Sequence, residues 1–109
     1  MKKEIIIRAV CDFYGYSMHQ IKIGRTQEMV MIRTILGYHL NKYCYMSMRE
    51  CAKVLSIKYQ GTISHHINRL DMNMAKDKYL KSDFENIAKL IDHRIENFNP
   101  IEYENGGLI

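Results

Sequence analysis

A chain of 109 residues, 47% of them apolar, has the material for one domain and no room for a second. Charge interrupts its apolar stretches every few residues, so no run approaches the roughly 18 apolar residues of a membrane span, and the start "MKKEIIIRAV" has no cleavage-site pattern. The net charge of +4 conceals an asymmetry, since residues 1–80 carry 13 Lys and Arg against 6 Asp and Glu, whereas residues 81–109 carry 3 against 6.

The expectation is a soluble, cytoplasmic protein whose basic body suits a polyanion and whose end is acidic. Cys11, Cys44 and Cys51 form no C-x-x-C pair, and their odd number argues against a disulfide framework. They read as packed thiols, with Tyr43 and Tyr45 around Cys44 as helix-end packing.

In chain order, residues from about Lys3 to Tyr14 place Ile6, Ala9, Val10 and Phe13 on one helical stripe, which "YGYS" interrupts. A connecting stretch, "MHQIKIGRTQ", presents Lys22 and Arg25 and leads into a helix from about Gln27 to Tyr43, where Met29, Ile32, Leu36, His39, Leu40 and Tyr43 recur at helical spacing. Ser47 with Glu50 forms a capping box before the short pattern Met48, Cys51, Ala52, Leu55.

After "SIKYQ", a helix is predicted from about Gly61 to Tyr79 with Ile63, Ile67, Leu70 and Met74 inward. A second capping box, Ser82 with Glu85, is predicted to open the last helix, whose inner face is Phe84, Ile87, Ala88, Ile91, Ile95 and Phe98. Asn99 and Pro100 are expected to stop it. The predicted fold is all-α, a five-helix bundle over residues 1–99, followed by a flexible tail over 100–109.

In the middle of this bundle, a two-turn helix, a brief turn and a longer helix make a helix-turn-helix pattern, whose second helix normally enters the major groove of DNA. At about 100° per residue, the side opposite Ile63, Ile67 and Leu70 holds Gly61, Thr62, His65, Asn68 and Arg69, with Ser64 on a flank. Small hydroxyl, amide and basic groups at a helix start can address base edges and phosphates. His65 and His66 are sequential and diverge by about 100°, so they do not chelate a metal ion as an i, i+4 pair would. There is no G-x-x-x-x-G-K-S/T for nucleotide phosphates, no G-x-S-x-G elbow and no H-E-x-x-H, which leaves no motif for an enzyme, nucleotide or cofactor.

Over about residues 5–91 the order of elements resembles the C-terminal DNA-binding domain of the bacterial replication initiator DnaA, a Trp-repressor-like helical domain. "VCDFYGYSMHQI" is similar to the family's opening helix and its continuation, and Arg25 matches its basic loop. "RTILGYHL" is a loose counterpart of A-R-Q-x-A-M-Y-L, "SMRECAKVL" of S-L-x-x-I-G-x-x-F, and "SIKYQGTISHHINRL" stands where the family has G-x-R-D-H-S/T-T-V-x-H-A-x-x-K-I. The resemblance implies duplex contacts at Lys58, Tyr59, Gln60, Gly61, Thr62, Arg25 and the region of Arg33 and Thr34. Tyr59 and Gln60 replace the family's aspartate and histidine, so the fold is expected to persist while the preferred DNA sequence changes.

The combined expectation is a non-enzymatic module, without an ATPase, that binds double-stranded DNA, from a phage or mobile element. Lys58, Arg25, Arg33 and Arg69 would take phosphates, and Gln60, Thr62, Ser64 and His65 would take bases. The alternative is a protein-interaction module that binds or inhibits a replication initiator without reading DNA. Neither reading calls for a metal, a cofactor or a membrane.

Overall fold

In the computed structural model, residues 1–98 are described, and all their regular structure is α-helical: α1 (Lys2–Tyr14), α2 (Met18–Ile23), α3 (Gln27–Cys44), α4 (Met48–Val54), α5 (Gln60–Asn68), α6 (Leu70–Lys76) and α7 (Lys78–Glu96). The expected stop at Asn99–Pro100 and the tail over 100–109 lie outside the described residues.

α3 is the hub. It packs against α1 on one side and α4 and α5 on another, with α2 beside its first half. Being covered on several sides, it buries Ile32, Ile35, Leu36 and Leu40 together with Gly37 and His39, a wider band than a surface helix would. α1 is likewise pinned between α3 and α7, which is why Ile5 and Ile7 are buried beside the predicted Ile6, Ala9 and Val10. Tyr14 Oη donates to Asp83 Oδ2 at 3.4 Å, Tyr43 Oη donates to Asp92 Oδ1 at 2.8 Å, and Arg94 pairs with Asp12 at 2.8 Å, so α7 is tied by polar contacts to α1 and α3.

Among the described residues seven helices stand where five were expected, for three local reasons. The stretch read as a connection is α2, started by a capping box in which Ser17 Oγ accepts from Gln20 N at 3.1 Å and Gln20 Oε1 accepts from Ser17 N at 2.8 Å. The helix expected over Gly61–Tyr79 is broken twice. At Arg69, one backbone N–H is shared between the carbonyls of His65 and His66, both at 3.3 Å, and α6 then turns onto α7. At Asp77 the backbone is extended, and its carboxylate accepts from Tyr79 N and Leu80 N to start α7. Ser82 and Glu85 therefore lie inside a helix rather than at its start, and the Ser82 hydroxyl instead meets Asn86 Nδ2 at 3.5 Å.

The cysteines are free, with Cys11 and Cys51 buried and Cys44 half-buried. Burial raises all three thiols, Cys11 to about 11, so each is held as the unreactive protonated form. Tyr45 does not pack as expected: it is 88% exposed, in the left-handed conformation that ends α3.

His39 is fully buried between the rings of Tyr43 and Phe84, with centroids 5.8 and 5.0 Å away, and neither ring nitrogen has a hydrogen-bond partner. Burial first, and the Lys42 charge second, push its pKa down to about 4.

Candidate nucleic-acid interface

The Ser47–Glu50 box forms as the sequence implies, with Ser47 Oγ accepting from Glu50 N at 3.1 Å and Glu50 Oε1 accepting from Ser47 N at 3.2 Å. α4 ends after two turns in a Schellman arrangement: Ile57 N donates to Ala52 O at 2.8 Å, Ser56 N donates to Lys53 O at 3.2 Å, and Ser56 takes φ +57°. That closure turns the chain sharply and sends it into α5 through Tyr59, which offers no side-chain cap. Buried Ala52, Leu55 and Ile63 join α4 and α5 to the hub. Gly37 makes the close approach possible, because a Cβ there would meet Ile63 Cδ1 at 3.0 Å and Leu55 Cδ1 at 3.3 Å.

Two grooves flank the start of α5. The first, of about 390 Å³, lies between the α2–α3 loop and α5 and brings Lys22 and Arg25 to the same hollow as Arg33, Ser56, Thr62 and His66. The loop is held there by Arg33, whose Nη1 donates to the carbonyls of Ile21 and Gly24, both at 2.6 Å. Partial burial lowers the Arg33 pKa, yet guanidinium remains charged at any working pH. The second groove, of about 470 Å³, runs between α4 and the turn, where Arg49 and Lys53 face Lys58, Tyr59, Gln60 and Gly61. Lys58 Nζ stands 5.3 Å from the centroid of the Tyr59 ring, which is 65% exposed.

The expected contact residues divide accordingly. Arg25 and Thr62 meet in the first groove, and Lys58, Tyr59, Gln60 and Gly61 line the second. His65 and Arg69 are exposed farther along α5 and at its end, and Ser64 is half-buried. Arg33 is committed to two carbonyls. Thr34 is only 2% exposed, and its hydroxyl donates to Val30 O at 2.8 Å, as a back-bonded threonine inside a helix does. Both residues nonetheless line the first groove.

His66 sits at the inner margin, half-buried, its ring 5.7 Å from that of His65. Burial lowers its pKa, and the positive surroundings of His65, Arg33 and Arg69 add to the effect. Arg49 and Lys53 escaped the sequence reading. Their i, i+4 spacing on the side of α4 away from Cys51, Ala52 and Leu55 was the available signal.

Charge distinguishes these two grooves from the hollows beside α7. Neither groove beside α5 is lined by an Asp or Glu, while together they hold Lys22, Arg25, Arg33, Arg49, Lys53 and Lys58. The wider hollow between α6 and α7, about 1010 Å³, mixes Lys76, Lys78 and Lys81 with Asp71, Asp77 and Glu85. The one between α3 and α7 is lined by Glu28, Asp77 and Asp83 with no cation. Among the described residues, no three His, Cys, Asp or Glu side chains are grouped to hold a metal ion, and no helix is long and apolar enough to cross a membrane.

Against known proteins, the chain is 26% identical over 81 residues to the chromosomal replication initiator protein DnaA of Thermomicrobium roseum, an alignment covering 73% of this chain and 17% of that protein. No family model matches the chain, and no solved structure does. What is shared with that initiator is thus a stretch the size of one domain within a much longer protein.

Proposed function

We propose that this chain is a sequence-specific, non-enzymatic module for double-stranded DNA, in which α4 and α5 act as a helix-turn-helix of the Trp-repressor-like class, equivalent to the C-terminal domain of DnaA. The observation that carries this reading is the pair of acid-free basic grooves on either side of the start of α5. A polyanion docked there meets cations on both sides, and α5 projects between them into the major groove. The likeness to a replication initiator supports the same partner.

Arg25, Lys58 and Arg69 bind phosphates in this scheme, Arg33 fixes the loop that carries Arg25, and Gln60, Thr62, Ser64 and His65 read bases. Gln60 suits a bidentate contact with adenine. Tyr59 takes the place of a charged group with an exposed ring, so the preferred site differs from that of DnaA. The test is binding to a randomised duplex pool. An enriched motif that disappears in a Gln60→Ala, Thr62→Ala variant supports base reading by α5, and failure to retain any duplex at low salt refutes it.

A second reading, a module that docks on a replication initiator without touching DNA, draws on the hollow between α6 and α7, beside which Tyr79 is 75% exposed. Co-purification of an initiator with a protein that ignores DNA would favour it.

A further inference from the structure

α7 is 19 residues long and buries Leu80, Ile87 and Ile91 against the bundle, where it packs mainly on α1 and α6. At about 100° per residue, Lys78, Lys81, Glu85, Lys89, Asp92 and Glu96 fall on its outer side within a stripe about 80° wide. All six are exposed. Among the described residues none of them is held in an ion pair.

Charge runs along this stripe in one order. Lys78 and Lys81 stand at the N-terminal end and Asp92 and Glu96 at the C-terminal end, whereas the helix dipole favours the reverse. Asp77 and Arg94 do obey the dipole, but Asp77 is used in capping Tyr79 N and Leu80 N, and Arg94 is paired with Asp12 of α1. The isolated chain therefore gains nothing from the order of its outer charges. A partner that brings anions to the start of α7 and cations to its end does gain from it.

A second α7 laid antiparallel about Ile87 is such a partner. Lys78 then comes opposite Glu96, Lys81 opposite Asp92 to within one residue, and Glu85 opposite Lys89, and a two-fold axis repeats each pairing. No like charges are brought together. Beside the stripe opens the hollow of about 1010 Å³, with half-buried Met74 and Phe84 and the exposed ring of Tyr79 in its lining, so the contact has apolar surface as well as charge.

We infer that two copies of this chain associate through α7, antiparallel and two-fold symmetric, with their outer charges in register. The contact uses no residue of α4 or α5, so it goes beyond the duplex reading and does not rest on it. Surface ion pairs are individually weak and screened by salt, which makes the assembly a reversible one.

The experiment is sedimentation of the full chain without DNA, from about 10 to 500 µM in about 50 mM salt. A monomer–dimer equilibrium is expected, with less dimer as salt rises to about 0.5 M. Glu85→Lys and Lys89→Glu each set like charges opposite at two symmetric points and should weaken association about 10-fold or more. An equimolar mixture of the two variants should regain it, because each copy then supplies the charge the other needs. Lys78→Glu and Glu96→Lys form a second such pair with a further readout: each agrees with the helix dipole, so in dilute solution the fold should be at least as stable as before while the dimer is weakened. Circular dichroism establishes that helicity is intact. A chain that stays monomeric throughout, as it would if the hollow served only a foreign protein, overturns the contact, and so does a dimer indifferent to salt or to these variants. Mixtures that associate no better than their components overturn the antiparallel register. In none of these cases does the duplex reading change, since it is tested on α5.

Discussion

Arg33 donates one guanidinium nitrogen to the carbonyl of Gly24 at 2.6 Å, and by the same nitrogen to Ile21, which fastens the end of α2 and the loop bearing Arg25 onto the side of α3. The loop's cations are thereby positioned by a residue that does not itself need to touch DNA. Charge-assisted bonds of this kind contribute about 1.5–3 kcal/mol each when fully shielded, less where water reaches them. Arg33→Ala should lower unfolding free energy by about 1–2 kcal/mol and weaken DNA binding through a displaced loop. Arg33→Lys should restore part of it, because both bonds come from a single nitrogen and an ammonium has N–H groups enough for the two carbonyls. Equal stability of the alanine variant in urea titration would contradict this role.

Ser56 occupies φ +57° at the close of α4, a backbone that costs a non-glycine residue about 1–2 kcal/mol. Ser56→Gly removes that strain but adds freedom to the unfolded chain, for a net gain of about 0.5–1 kcal/mol. A thermal melt should move up by a few degrees. A lower melting temperature would mean that the serine hydroxyl has a stabilising role the backbone does not reveal.

His39 makes stability depend on acid. Its folded pKa of about 4 lies below the ordinary 6.5, so between those values the unfolded chain binds a proton that the native state does not. Stability is therefore full above about pH 6.5 and falls as the pH drops toward 4, by about 3 kcal/mol from this group. His39→Phe keeps the stack with Tyr43 and Phe84 and removes two unpartnered nitrogens. It should flatten that pH window and raise stability at neutral pH by about 1–2 kcal/mol. Retention of the full acid slope in the variant would place the titration elsewhere.

Thr62 and Arg25 line one groove yet have different expected roles. Thr62→Val is predicted to relax preference at one base pair, at about 1–3 kcal/mol of discrimination, with the salt slope intact. Arg25→Ala is predicted to weaken every duplex alike and to lower the slope by about one unit. Interchanged outcomes would reverse the two assignments.

The parts of the fold that local chemistry dictates were legible. Periodicity located α1, α3 and α7, and the Ser47–Glu50 box located the start of α4 within a residue. The same logic applied to Ser17 and Gln20 would have revealed α2, but Gly24 nearby made the stretch look like a loop. At the other end the logic misled: Ser82 and Glu85 match the box, yet Asp77 supplies the real cap five residues earlier. A motif of two residues cannot say which of two competing starts wins, because the choice depends on α6 and α7 burying Leu70 and Leu80 together.

Of the residues expected along α5, Gln60, Gly61 and Thr62 line the two grooves, whereas Ser64 and His65 line neither. Arg49 and Lys53 became candidates only when the turn at Ser56 folded Lys58 back beside them. Arg33 and Thr34 both line the first groove, but the letters do not show that Arg33 is bonded to the carbonyls of Ile21 and Gly24 or that the Thr34 hydroxyl donates to Val30 O.

Selection from a random duplex pool at moderate salt, followed by salt titration on the enriched sequence, is the most direct measurement. Duplex reading by α5 between two basic grooves predicts one enriched motif, lost in the Gln60→Ala, Thr62→Ala variant, and a steep decline of affinity with salt. A folded, helical protein that retains no duplex even near 50 mM salt would contradict it.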